Sequence, residues 1–378
     1  MRRGNLLQKP LLLTVCGLIV AVAAGLAAFA ASRQDGGGCV SGLEYREPPD
    51  GNRLESLVAS NSVPGRVYAT TSKGGFYQGS GDRTFQWRRS PSRSPGRLAA
   101  PVGSKDVLYA EWNALFRSND RGRSWQRLTC GLLVGDVAVS NHHRSMIYLA
   151  TAMEEISGSR GGGLYRTLDG GQSWTRFTRF ARMHSDSDQH GVNLVAVSPS
   201  DWRRVYAARE FGGLDVSNDA GQHWSFDPVA RVEAGSDGPV ATALGFGARG
   251  AMWLSSRRDG VFVRRALAKR WSYVGFRNWS VEQVLPSRRV PGLAYVIAGK
   301  YCPANLTYAE CQKLDSGGPA LRTVDGGKHW RRMPTLPESV LALTLQPADD
   351  TVFAWGWREV FRSRDHGATW ERLPNLAG

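Results

Sequence analysis

The chain has 378 residues, 42% hydrophobic and 21% charged, a balance that suits a globular protein with a large core and excludes disorder over most of its length. Lys and Arg number 48 against 33 Asp and Glu, a formal charge of +15, yet the basic residues are scattered without a long run, which argues against nucleic acid as a partner. With 44 Gly and 13 Trp, the composition predicts many short strands joined by tight turns.

In chain order, residues 1–9 form a basic segment with Arg2, Arg3 and Lys9, and residues 10–32 carry no charge. About 20 such residues in a helix cross a hydrocarbon core about 30 Å thick. The segment predicts a transmembrane anchor or a signal helix, with the basic end in the cytoplasm. Ala28-Phe29-Ala30 offers a small-residue cleavage site, so anchor and removable signal both stay open. Either way the body lies outside: a single-pass cell-membrane protein with an extracytoplasmic C-terminal domain, or a secreted one. Residues 33–53 read as a linker. Five cysteines suit an exported chain; Cys302 and Cys311 are the expected disulfide, while the pairing of Cys39 and Cys130 stays open.

From Leu54 onward a repeat sets the fold. Trp87, Trp125, Trp174, Trp224, Trp271, Trp330 and Trp370 recur every 38 to 59 residues. Upstream of each lies a second aromatic marker: Tyr68, Tyr109, Tyr148, Tyr206, Trp253, Tyr295 and Phe353. Each unit reads as four strands bounded by Gly, Asp and Pro, so residues 54–378 are expected to be an all-β, seven-bladed β-propeller of four-stranded blades.

Before each later tryptophan stands a turn pattern, S/T-x-D-x-G-x-S/T-W. Ser118–Trp125, Thr167–Trp174 and Ser363–Trp370 match it; Ser217–Trp224 and Thr323–Trp330 match with His223 and His329 replacing the last hydroxyl residue. The first unit keeps Asp82 without the glycine, and the fifth, ending at Trp271, has lost the aspartate. The expected role is structural: Asp120, Asp169, Asp219, Asp325 and Asp365 bond turn amides, Gly supplies a positive φ, and Trp packs between sheets.

These turns resemble those of the Asp-box (BNR-like) propellers, a group that includes sialidases, sortilin-type receptors and photosystem II stability and assembly factors. The resemblance covers roughly Leu54 to Pro374 and implies the fold, not an activity. The Arg-Ile-Pro segment of sialidases does not occur. The two-propeller xyloglucanases resemble this chain in the same turns but build their cleft between two propellers; seven units suffice for one.

The loops opposite the Asp boxes are the expected ligand face. They carry Glu111, Trp112 and Asn113, then Glu154 and Glu155, then Arg209 and Glu210. Arg257, Arg258 and Asp259 follow, and Trp355, Trp357, Arg358 and Glu359 complete the set. Rings for stacking beside charges for orientation suit a protein or glycan ligand. Longer units insert residues around Met153–Gly163 and Tyr301–Gly317, and the loop 179–190 holds His184, Asp186, Asp188 and His190, which read as solvated rather than as a metal site. No cofactor and no metal are expected, and the chain is expected to be a monomer. The leading expectation is a non-catalytic extracytoplasmic binding or assembly scaffold. The alternative is a glycoside hydrolase.

Overall fold

The computed structural model describes residues 53–374 except 81–85, 89, 93–95, 101–106, 112–113, 130–131, 133, 152–162, 178–190, 211, 230–237, 267, 301–318, 335 and 338–339. The expected N-terminal helix, the expected Cys302–Cys311 disulfide, Asp82 and residues 179–190 therefore fall outside the described residues. Among those described, 28 strands form seven four-stranded antiparallel sheets, and within each sheet the strands pair in chain order. Runs rich in Val, Tyr, Phe and Trp, bounded by turn residues, satisfy their backbone groups this way.

The first strands of successive sheets are Leu54–Ala59, Gly96–Ala99, Val134–Val139, Val192–Val197, Ala241–Phe246, Trp279–Pro286 and Ala342–Leu345. They stand side by side around an axis, and the last, in the seventh sheet, returns to meet the first. An apolar cluster fills each junction. Tyr148, Leu164, Val195 and Ala207 join the third and fourth sheets, and Leu54, Leu57, Phe353 and Trp355 close the seventh onto the first. Sheets arranged radially around an axis, each burying both faces against its neighbours, make the chain an all-β β-propeller.

Register separates two ends. In the fourth sheet Val192 opposes Arg209, so the start of the inner strand shares one rim with the loop between second and third strands. Val205 opposes Ser217, which places the 217–224 hairpin on the other rim. The first rim, where the inner strands start, surrounds one mouth of the channel that a propeller leaves along its axis, called the channel mouth below.

The turn rim is built as its sequence pattern predicts, with one refinement. Ser118 Oγ donates to Asp120 Oδ1 at 2.8 Å and accepts from Gly122 N at 2.6 Å. Asp120 Oδ1 then accepts from Arg123 N and Ser124 N, each at 2.9 Å, while Ser124 Oγ donates to Oδ2 at 2.6 Å. The carboxylate thus binds the turn amides three and four residues after it. Asp169 and Asp365 repeat this set. At Asp219 and Asp325 the ring Nδ1 of His223 and His329 replaces the hydroxyl, 2.6 and 2.7 Å from Oδ2. Gly171 (φ 103°) shows why the glycine is needed: a Cβ there would lie 2.8 Å from Leu128 of the preceding sheet. The tryptophans pack across junctions, but Trp125, Trp174, Trp224, Trp330 and Trp370 are half-buried; only Trp271 among the described turns is buried.

Candidate functional site

The channel mouth is polar because the inner strands are irregular there. Five of them carry a one-residue register shift near their start, at Glu55, Gly135, Asn193, Thr242 and Glu282. A bulge of this kind breaks the alternation of a strand and re-aims a side chain, and bulges concentrate next to active sites. Here two of the five inserted residues are glutamates.

Three charged side chains lie on three consecutive inner strands: Glu55 on the first sheet, Arg97 on the second and Asp136 on the third. Arg97 is exposed to solvent, while Glu55 and Asp136 are half-buried. Burial raises the Glu55 pKa above the ordinary carboxylate range, and the charge of Arg97 opposes that rise. Burial pushes Asp136 up to about 6 against the hydrogen bonds of Val195 N and Val137 N and the charge of Arg97. One guanidinium therefore acts on both acids. Such a set keeps one carboxyl protonated in mildly acidic solution beside a cation that favours the ionised form of the other.

Asp136 also bridges sheets. Its Oδ2 accepts from Val195 N of the fourth sheet at 3.0 Å and its Oδ1 from Val137 N at 2.9 Å. Neutral groups do the same work elsewhere: Ser56 Oγ accepts from Leu98 N at 3.1 Å, and Gln283 Oε1 accepts from Leu343 N at 2.8 Å. Joining sheets therefore does not require an ionisable group, and a carboxyl with a raised pKa at this position is surplus to structure. Glu282 accepts from Ser280 Oγ on the same rim.

The loop residues singled out from sequence divide. Glu210 N bonds Gly191 O at 3.0 Å, Arg257 N bonds Val240 O at 3.1 Å, and Asn278 N bonds Arg258 O at 2.9 Å, so these loops do surround the inner-strand starts. Trp357 O accepts from Leu54 N at 2.7 Å, and its half-buried ring lies under Arg53, 5.1 Å from centroid to guanidinium carbon. Arg358 is exposed, and Glu359 pairs with Arg372 at 3.0 Å. Asp259 accepts from Ser256 Oγ at 3.3 Å. Two expectations need correction. Arg209 is no ligand-facing charge: it is 2% exposed and clamped to Asp215 by two bonds of 2.7 Å. Trp355 is no stacking platform, being 8% exposed within the cluster that closes the seventh sheet onto the first. Trp112, Asn113, Glu154 and Glu155 lie outside the described residues, as does the Glu111 side chain. No group of three potential metal ligands occurs among the described residues.

Glu55, Arg97 and Asp136 were missed from sequence, though a signal existed. A charged residue inside an otherwise apolar inner strand, as in Leu54–Ala59 or Val134–Val139, opposes burial and asks for a reason.

No family model matches the sequence. An oligoxyloglucan-reducing end-specific xyloglucanase of Emericella nidulans is 22% identical, with 85% of this chain and 45% of that protein covered. A probable oligoxyloglucan-reducing end-specific xyloglucanase of Neosartorya fischeri is 25% identical, covering 64% of this chain and 33% of that one. The chain thus spans less than half the length of these curated relatives. Among solved structures, the GH74 xyloglucanase from Xanthomonas campestris superposes with a TM-score of 0.60 at 18% identity, covering 85% of this chain and 53% of that one. YCF48 from Cyanidioschyzon merolae gives 0.54 at 15% identity over 82% and 94%. The shared feature is the β-propeller fold. The expectation of a non-catalytic scaffold is corrected here: one curated relative is a xyloglucanase and the other is described as a probable one, and the glycoside hydrolase alternative fits them better.

Proposed function

We propose that this chain is a seven-bladed Asp-box propeller with glycoside hydrolase activity on a xyloglucan-type glucan, its site at the channel mouth. The observation that carries the reading is the Glu55, Arg97 and Asp136 set, two acids with raised pKa around one guanidinium on successive inner strands. Glycoside hydrolysis needs such a pair, one carboxyl to protonate the leaving oxygen and one carboxylate to act on the opposite side. Asp136, lifted to about 6, is assigned the acid role. Glu55, beside Arg97, takes a proton from the attacking water as the bond from the anomeric carbon to the leaving oxygen breaks. Trp357, half-buried on the same rim, offers a ring edge for a sugar. The extracytoplasmic location read from the N-terminus, anchored or secreted, accords with a polysaccharide substrate outside the cell.

The test is release of reducing ends from xyloglucan oligosaccharides by the full chain. Wild type is expected to release them, and Glu55→Gln and Asp136→Asn to lose about 10²- to 10⁴-fold in rate when assayed at a temperature where each remains folded. A wild-type chain inactive on xyloglucan and other β-glucans would remove the proposal. Variants as active as wild type would move the site elsewhere.

A further inference from the structure

On the turn rim, between the fourth and fifth sheets, the repeat fails in a way that opens a cavity. At three other junctions an arginine just before one turn reaches the next turn at the residue between Asp and Gly. Arg166 Nη1 donates to Ala220 O at 2.5 Å, and Arg322 Nη1 to His366 O at 2.5 Å. Arg117 Nη1 lies 3.3 Å from where a Cβ on Gly170 would stand. At the fourth-to-fifth junction both halves of this bridge are missing. The fourth sheet has Val216 in the arginine position, and the fifth has Ala266 and Ala268 where its neighbours have Asp and Gly.

A cavity of about 370 Å³ occupies the gap, and Arg204, Arg264 and Arg265 line it together with Tyr206, Phe246 and Asp227. Arg264 stands where the other turns have Ser or Thr, and it is fixed. Its Nη1 donates to Asp227 Oδ2 at 2.5 Å, its Nη2 lies 3.3 Å from the Tyr206 hydroxyl, and its guanidinium sits 4.8 Å from the Trp271 ring centroid. Trp271 Nε1 donates to the other Asp227 oxygen at 3.1 Å. The single carboxylate is thereby spent on Arg264. Arg204 Nε donates only to the neutral Asn218 Oδ1 at 3.0 Å, and the Arg265 side chain has no polar partner among the described residues. Two guanidiniums are left without a counter-charge at the edge of a cavity walled by the rings of Tyr206 and Phe246, whose centroids are 5.9 Å apart.

We propose that this cavity binds a monosaccharide-sized organic carboxylate. Guanidinium groups recognise carboxylates through paired N–H donors, and volumes of about 300–1,000 Å³ are those of small-molecule sites. The aromatic and aliphatic walls favour an anion that carries a carbon body over a bare inorganic ion. The site lies on the rim opposite the channel mouth, so it stands or falls independently of the hydrolase reading.

The experiment is calorimetric titration of the full chain with glucuronate, glucose and inorganic phosphate. Glucuronate is expected to bind and glucose not to. The double variant Arg204→Gln, Arg265→Gln, both exposed positions, is expected to weaken glucuronate binding more than tenfold while melting as wild type does. Val216→Arg, which restores the missing arm, is expected to fill the cavity and abolish binding. Failure of glucuronate to bind, binding unaltered in the double variant, or phosphate bound as tightly as glucuronate would each overturn the proposal.

Discussion

The two rims of this propeller use carboxylates in opposite ways. On the turn rim, Asp169, Asp325 and Asp365 are held well below the ordinary range, Asp169 and Asp365 chiefly by hydroxyl groups of Ser173 and Thr369, and Asp325 chiefly by the backbone of His329. Asp169 and Asp365 are exposed and Asp325 is half-buried, and each is answered within its own hairpin. At the channel mouth, Glu55 and Asp136 are raised by burial and answered across sheets, by Arg97 and by the backbone of the next blade. A carboxylate satisfied locally stabilises a turn. One raised by burial costs stability in its ionised form and is available for proton transfer.

The largest expected effect falls on the mouth: Asp136→Asn and Glu55→Gln should reduce hydrolysis about 10²- to 10⁴-fold, whereas Asp169→Asn on the turn rim should leave the rate unchanged and lower the melting temperature. Loss of activity in Asp169→Asn at a temperature where it remains folded would dissolve the distinction. If Asp136 is the acid, the rate should fall as pH rises above about 6, the sign expected when the protonated form is required.

Stability separates the rims next. Asp215→Ala should cost about 3–5 kcal/mol, because it removes the carboxylate that faces the buried Arg209 charge. Denaturant unfolding checks this, and a change near zero would show that Arg209 reaches solvent. Trp271→Ala should cost about 3–5 kcal/mol, since Trp271 is buried and anchors Asp227. Trp174→Ala should cost about half as much, its ring being half-buried.

The smallest effect is in the pH dependence of stability, and its sign differs between rims. The turn aspartates have folded pKa values below their unfolded ones, so their contribution is full above about pH 4 and is lost as pH falls through the folded values. Asp136 runs the other way: stability declines as pH rises from about 4 to about 6, where the unfolded chain ionises it and the folded chain does not. Asp136→Asn should therefore flatten the melting temperature between those values, and an unaltered slope would show that Asp136 ionises normally.

The turn rim was legible in sequence because its chemistry is local. Ser118, Asp120, Gly122 and Ser124 act within one hairpin, so their spacing states their bonds, and even His223 for a hydroxyl could be read as a substitution in place. The mouth was not, because its set is assembled from residues 55, 97 and 136, which belong to three different sheets and come together only when those sheets stack. Loop position alone also misled: Arg209 and Trp355 end strands on the correct rim, but pairing with Asp215 and packing against Leu54 turn them inward. The Trp spacing revealed the repeat, while the cavity between the fourth and fifth sheets depended on two departures from it, Val216 and Ala266, at one junction.

The contrast between the rims is tested most directly by a carboxyl-resolved NMR titration of the full chain from pH 2 to 8. The account predicts that Asp136 titrates near 6 while Asp169, Asp325 and Asp365 titrate below the ordinary aspartate range, and that Arg97→Gln raises Asp136 and Glu55 further. An Asp136 that titrates with the turn aspartates, unmoved by Arg97→Gln, would contradict it.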